Sequence, residues 1–359
     1  MGSHKWTSRL IPAMLLLVGG GATAQSYRVV DVATLAQGNA AVVRGPNLKN
    51  EGVGGGTLAG TGSSAGGQRK GLLLAAGAVR QISGLGNTDD TIVYGQNDGG
   101  ALVGSSNTES ALRAFAGTQA GAVRELPPLS GDTSSAAYGV DKQGQAVGFS
   151  SGAGGQRAVV WDASGTPSAL PGVPNVSGTR AIDINERGDV VGSASTAAGQ
   201  RPILWPKGQP PTELPLLAGD ATGEASAINA RGDVAGYSAN ASGTRRATVW
   251  RSNAAAVDLG TLAGGDFSQA FGINGSGDIV GTSNSRAVLW PGSGGIQDLN
   301  SLIPPSAFRL TKAVGINNNG TIIATGHDIP AGHGAEHAHE DEHDLPVRVF
   351  LLIRSGGGP

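Results

Sequence analysis

The sequence predicts an all-β fold built from one repeated four-strand unit, and three observations predict it. A short string recurs at near-constant spacing, every copy reads as strands and turns, and the two chain ends each hold part of one unit. The string is I-N-x-x-G-D-V-V-G. It is clearest at Ile184-Asn185 with Gly188 to Gly192, Ile228-Asn229 with Gly232 to Gly236, and Ile273-Asn274 with Gly277 to Gly281. Looser copies surround Asn97, Asp141 and Asn317, and the most degenerate surrounds Asn47. The glycines that mark the units are Gly52, Gly100, Gly144, Gly188, Gly232, Gly277 and Gly320, spaced 48, 44, 44, 44, 45 and 43 residues apart. That period belongs to propeller blades or solenoid turns.

Each period carries four strand signatures. The first two are A-x-G-I-N and G-D-V-V-G. The third, R-A-V-L-W, appears at Arg157 to Trp161, Arg201 to Trp205, Arg246 to Trp250 and Arg286 to Trp290. The fourth, D-L-x-x-L, is clearest at Asp258 to Leu262 and Asp298 to Leu302. All are short aliphatic or β-branched runs bounded by Gly, Asn, Ser or Pro, which is how strands read. The N-x-x-G link has Asn or Asp at the first position of a type I turn and Gly at the fourth. No stretch keeps a 3.6-residue period over a helix length.

The ends supply the third observation. Asp31, Thr34 and Leu35 match the fourth signature with no first three strands ahead of them, and Arg348 to Ile353 supplies a third strand with no fourth behind it. A ring closed by the first strand completing the last unit accounts for both, and it removes exposed sheet edges. The expectation is therefore a seven-bladed β-propeller over residues 25–354, four strands per blade, closed by the N-terminal strand.

Composition bounds the function classes. Glycine is 61 of 359 residues, but it falls at fixed intervals rather than in disordered runs. A net charge of −2 gives no general grip on nucleic acid. With no cysteine there are no disulfides, thiolate metal sites or thiol nucleophiles. Residues 1–24 read as a secretory signal: Lys5 and Arg9, then apolar Leu10 to Val18, then Ala22-Thr23-Ala24 with cleavage expected before Gln25. No later run reaches the ~20 apolar residues of a membrane helix. Residues 355–359 read as a flexible Gly-rich tail.

These signatures resemble the HAF-family extracellular repeat, through Ala270 to Gly281, Arg286 to Trp290 and Asp258 to Gly265. The departure is Arg where that repeat has His before its aromatic-aliphatic strand. The resemblance implies export and a propeller-like repeat, and it brings no activity and no catalytic residues.

Four sets of side chains are candidates for function. The once-per-unit arginines, among them Arg157, Arg201, Arg246 and Arg286, could form an anion-binding ring, but recurrence in every unit is what scaffold residues do. A structural pairing to Asp189, Asp233 and Asp278 is expected instead. Trp161, Trp205, Trp250 and Trp290 are expected to pack between blades rather than to present a carbohydrate platform. Asp132, Asp220 and Asp266, each after a Gly between units, are candidates for a calcium site at the channel mouth, against plain turn capping. The non-repeated insertion 327–344 carries His327, His333, His337, His339 and His343 among acidic residues, a composition that reads as binding zinc, nickel or copper.

No catalytic set emerges, with neither G-x-S-x-G nor H-E-x-x-H present. The leading reading is an exported, periplasmic or extracellular, non-catalytic binding module for an unknown protein or glycan, expected to be monomeric. The alternatives are a lyase or hydrolase using carboxylates at the channel mouth, such as Asp89-Asp90, and transition-metal binding through the His-rich loop. The N-x-x-G turns share one face of the disc and look uniform. The opposite face varies, and function is expected there.

Overall fold

The computed structural model describes residues 26–31, 47–48, 58–63, 69–75, 78–87, 90–97, 99–118, 120–251, 255–329 and 347–355. The expected signal segment, Gly52, and the His-rich tract from residue 330 to 346 lie outside them. The described chain is all-β, with two short 3-10 turns at Leu85–Asn87 and Leu299–Ser301 and no α-helix. No helix among the described residues is long and apolar enough to cross a membrane.

The strands form the up-and-down antiparallel sheets of a propeller, and we name each blade by its residue at the Asn position of the turn. In the Asn229 blade, Thr222–Ile228 pairs with Val234–Ala239, which pairs with Arg245–Trp250 and then Ala256–Asp258. The Asn274 blade repeats this with Ser268–Ile273, Ile279–Ser283, Arg286–Trp290 and Gln297–Asp298. The Asp141 and Asn185 blades do the same and are joined into one larger sheet by a single parallel bridge, Gln156 to Gly178. In the Asn317 blade, Phe308–Ile316, Ile322–Asp328 and Arg348–Arg354 are followed by an outer strand from the other end of the chain, Tyr27–Asp31. Its register runs from Tyr27 opposite Arg354 to Asp31 opposite Phe350.

The apolar residues meet between blades rather than in one centre. Val191 and Leu204 of the Asn185 blade pack with Ala225, Ile228, Val234 and Trp250 of the next. Ala235, Val249 and Ala227 of that blade pack in turn with Ile273, Ile279, Val288 and Trp290. Each blade thus buries both faces of its sheet, which is why the second and third strands read as continuous apolar runs instead of alternating.

Two glycines per repeat have separate physical causes. The turn glycine holds a left-handed backbone, with φ of +82° at Gly188, +89° at Gly232 and +84° at Gly277. The glycine that ends the second signature is different. The first strand skips register between Ala225 and Ala227, leaving Ser226 as a bulge. There a Cβ on Gly236 would run into the carbonyl oxygen of Glu224. The same clash faces Gly148, Gly192, Gly281 and Gly326, each against a first-strand carbonyl. A side chain is excluded by backbone, which cannot step aside as a flexible side chain could.

Gly236→Ala is therefore expected to lower the unfolding free energy by about 2–3 kcal/mol. Gly154→Ala, where a Cβ meets nothing within 4 Å, is expected to stay within about 0.5 kcal/mol of the parent. Paired urea denaturation curves check both.

Candidate binding face

The N-x-x-G turns build one mouth of the axial channel. In the Asn229 turn, the Asn229 amide proton goes to the Asp233 carbonyl at 3.0 Å and the Gly232 N–H to the Asn229 carbonyl at 3.0 Å. The side-chain oxygen of Asn229 accepts the N–H groups of Arg231 and Asp233, both at 3.0 Å. Its Nδ2 then reaches the next blade and donates to the Asn274 carbonyl at 3.0 Å. One side chain therefore caps its own turn and ties two blades together.

The tie repeats around the axis. Asn97 donates to the Asp141 carbonyl at 2.7 Å, Asn185 to the Asn229 carbonyl at 3.2 Å, and Asn274 to the Asn317 carbonyl at 3.2 Å. These four asparagines are buried, with 1–5% of their surface exposed. The step from Asp141 to Asn185 is the exception, because a carboxylate has no N–H to give.

Inside this belt lies a pocket of about 80 Å³ on the axis, walled by Val140, Ile228, Ile273 and Ile316. Its rim is the residue that follows each belt position: Lys142, Glu186, Ala230, Gly275 and Asn318. A wider groove of about 550 Å³ opens on the same face between the Asp141 and Asn185 blades, lined by Asp141, Gln143, Gln145, Asp162, Ser164, Glu186 and Lys207. Burial pushes the Asp141 carboxyl up from the usual carboxylate range, against the lowering effect of the Gln145 N–H. The Ser164 hydroxyl and the Thr166 N–H hold exposed Asp162 below that range.

The turn face therefore carries variation of its own, which the sequence expectation assigned to the opposite face. The turn face looks uniform in sequence because its Asn and Gly recur. The residue after each of those Asn or Asp positions differs from blade to blade, and it forms the rim.

The signature arginines pair as scaffold, but with other carboxylates than expected. Arg157 meets Asp132 at 2.9 Å, Arg246 meets Asp220 at 2.8 Å and Asp258 at 3.3 Å, Arg201 meets Glu213 at 3.3 Å, and Arg286 meets Asp298 at 3.0 Å. Arg348 bridges Asp31 and Asp328 in the sheet that joins the two chain ends. Asp189, Asp233 and Asp278 instead pair with Arg187 at 2.9 Å, Arg231 at 3.1 Å and Arg354 at 2.8 Å. Hairpin geometry is the reason. Val190 stands opposite Trp205, so Asp189 sits at the far end of the hairpin from Arg201.

The tryptophans lie buried. Trp161, Trp205 and Trp250 donate their indole N–H to the carbonyls of Pro127, Pro171 and Pro215 on the preceding blade, at 2.7, 3.0 and 2.7 Å. Asp132 and Asp220 are held by their arginines, and among the described residues no three His, Asp or Glu side chains converge as metal ligands. The proposed calcium ring of Asp132, Asp220 and Asp266 is therefore not assembled. His327 is buried at the end of its strand, with Nδ1 3.4 Å from the Asp328 carbonyl. His333, His337, His339 and His343 lie outside the described residues.

Sequence reading gave no weight to a second polar cluster. Arg180 pairs with Glu224 of the next blade. Gln200 donates to Glu224 at 2.9 Å, and the Arg245 guanidinium lies 4.4 Å from the Tyr237 ring. Tyr94 and Tyr138 of adjacent blades meet edge-on at 4.9 Å, and burial takes the Tyr138 hydroxyl up to about 12. These residues are spread over first, second and third strands, at positions where the motif varies and no spacing rule marks them.

No family model and no curated protein matches this sequence. Solved structures do match in fold. An inactive virginiamycin B lyase from Staphylococcus aureus superposes with a TM-score of 0.52 at 11% identity, over 92% of this chain and 99% of that one. The propeller domain of the Trilobed protease from Pyrococcus furiosus gives 0.51 at 8% identity, over 84% and 90%. TolB from Acinetobacter baumannii gives 0.46 at 10% identity, and this chain spans 64% of its length. The fold is that of a β-propeller. At such identities the likeness extends to the fold alone.

Asn229→Ala removes the cap of two turn N–H groups and the tie to Asn274 in one step. It is expected to cost about 2 kcal/mol, read as a lowered urea midpoint at unchanged slope.

Proposed function

We propose that the protein is an exported, non-catalytic binding propeller that takes its ligand at the axis of the turn face. One observation carries this reading: a rim that changes residue at every described blade stands on a frame that repeats. Lys142, Glu186, Ala230 and Asn318 are exposed, while Asp141 and the asparagines beneath them are buried. Constant frame with variable, solvent-facing tips is how rigid scaffolds display recognition residues.

In this reading the ring has seven blades and is closed by the N-terminal strand. Two contacts support it. Tyr27–Asp31 pairs with Arg348–Arg354 along its whole length. The short strand Asn47–Leu48 of the first unit touches both Thr91–Gln96 of the second and Phe308–Ile316 of the last. The resemblance to HAF repeats and the signal-like residues 1–24 favour the periplasm or the cell exterior.

The lyase and hydrolase alternative needs two carboxylates across one site. Among the described residues that line the axial pocket, Glu186 is the one carboxylate, which favours binding over that chemistry.

The test is a screen of the mature protein against envelope glycans and peptides, repeated with Ala230→Trp, which fills the rim of a small pocket without touching the belt. A bound compound lost in Ala230→Trp at unchanged thermal stability is the expected result. Turnover of a screened compound, or binding indifferent to the tryptophan, would overturn the reading.

A further inference from the structure

The first strands line the axis, since their last residues Val140, Ile228, Ile273 and Ile316 wall the axial pocket. Behind that pocket each strand carries a register shift, and such a bulge re-aims a side chain. The residues at the shift are Tyr94, Tyr138, Ile182, Ser226, Phe271 and Val314. Two residues further from the turns stand Ile92, Ala136, Arg180, Glu224, Gln269 and Lys312. Neither set repeats, so the frame does not demand them. Around the ring they fall into two arcs. The Asn97 and Asp141 blades give an aromatic arc. Tyr94 and Tyr138 are half-buried, and neither hydroxyl has a hydrogen-bond partner among the described residues. The Tyr138 ring also lies 6.0 Å from the Phe149 ring. The following blades give a polar arc. There Arg180 pairs with Glu224, Gln200 donates to Glu224 at 2.9 Å, and Arg245 donates to the Gln269 side-chain oxygen at 2.8 Å. The Lys312 ammonium lies 5.1 Å from the Phe271 ring. The arcs meet where the Arg180 guanidinium comes within electrostatic reach of Tyr138.

The polar arc holds more donors than its own acceptors use. Arg180, Arg245 and Lys312 stand with one carboxylate, Glu224, which Arg180 and Gln200 already occupy. Arg245 has no carboxylate partner among the described residues, although Arg246 beside it has two. The Gln269 amide nitrogen likewise has no partner among them. A guanidinium that the frame leaves unpaired, next to half-buried rings with free hydroxyls, has the composition of a ligand site: an apolar wall with a few convergent polar groups.

We propose that the channel, on the side away from the turns, binds an acidic sugar, a pyranose ring that carries a carboxylate. The Arg245 guanidinium takes the carboxylate, because its planar fork matches two carboxylate oxygens. Tyr94 and Tyr138 offer ring surface to the C–H side of the pyranose and hydroxyls to its polar edge. The Gln269 amide donates to a sugar hydroxyl. Burial takes the Tyr138 hydroxyl up to about 12, so it remains a protonated donor. A bare inorganic anion would use the guanidinium and leave the rings and hydroxyls idle. A neutral sugar would leave the guanidinium unpaired. The site lies further along the axis than the Lys142 and Ala230 rim, and it does not rest on the reading given for that rim.

The experiment titrates the mature full chain with D-glucuronate by calorimetry, with D-glucose and benzoate as controls at neutral pH and constant ionic strength. Glucuronate is expected to bind and to raise Tm, and each control to bind at least about tenfold more weakly. Arg245→Gln leaves no carboxylate stranded and is expected to weaken glucuronate at least about tenfold at unchanged apo Tm. Tyr138→Phe keeps the ring, leaves the polar arc untouched, and is expected to weaken it about fivefold. Ala230→Trp is expected to leave glucuronate binding intact, which separates this site from the one at the turn face. Glucose or benzoate bound as tightly as glucuronate would overturn the inference. So would a glucuronate affinity unchanged in either Arg245→Gln or Tyr138→Phe, or no glucuronate binding at all.

Discussion

The interaction on which the rest depends is the asparagine amide that crosses from one blade to the next. A propeller has no single core, so its blades must be held in angular register by contacts between neighbours. The apolar seams supply most of the attraction, but they are non-directional. The belt adds direction. An Asn oxygen fixed by two turn N–H groups leaves the Nδ2 pointing along the ring, at a carbonyl whose position is set by the same turn in the next blade. Each bond contributes only about 1 kcal/mol. Its value lies in specifying which rotation between blades is allowed.

A second belt lies further out, and its one fault shows the same logic. Three buried indoles donate to prolyl carbonyls of the blade before them. Trp290 has no partner for its N–H. Where the preceding blades read Leu-Pro, the corresponding pair is Leu259-Gly260, and Gly260 sits at φ +78° with its N–H on the Asp258 carboxylate. A left-handed glycine turns the peptide that a proline would have held, and the carbonyl is carried away from the indole. The repeat therefore tolerates loss of one outer tie. The inner belt is kept at every described step but one.

The frame was legible in sequence because each of its residues is forced locally. The turn Asn and Gly are demanded by the turn, the second Gly by a carbonyl that leaves no room for Cβ, and the apolar runs by sheets buried on both sides. All of these recur with the period, and recurrence is what a single sequence can reveal. The arginine partners were misread because a motif lists residues in order and does not show that a hairpin sends its first and last residues to one end. The rim was missed for the opposite reason. Lys142, Glu186, Ala230, Gly275 and Asn318 share a place and no chemistry, so alignment on the repeat treats them as filler. Arg180 and Glu224, 44 residues apart in adjacent units, pair only once the blades are side by side.

That division implies how such a chain can change what it binds without refolding. A rim residue stands between the belt residue and the turn glycine two positions on, and belongs to neither, so its side chain can be exchanged with little effect on either belt. A belt residue has no such latitude, since Asn to Asp differs by one donor and removes a tie between blades. Asp141 is therefore the informative position in the ring. Its isosteric neighbour Asn would satisfy the seam, and the carboxylate gives up that bond in a place with little water. A frame residue that departs from its own repeat in this way gives up stability locally.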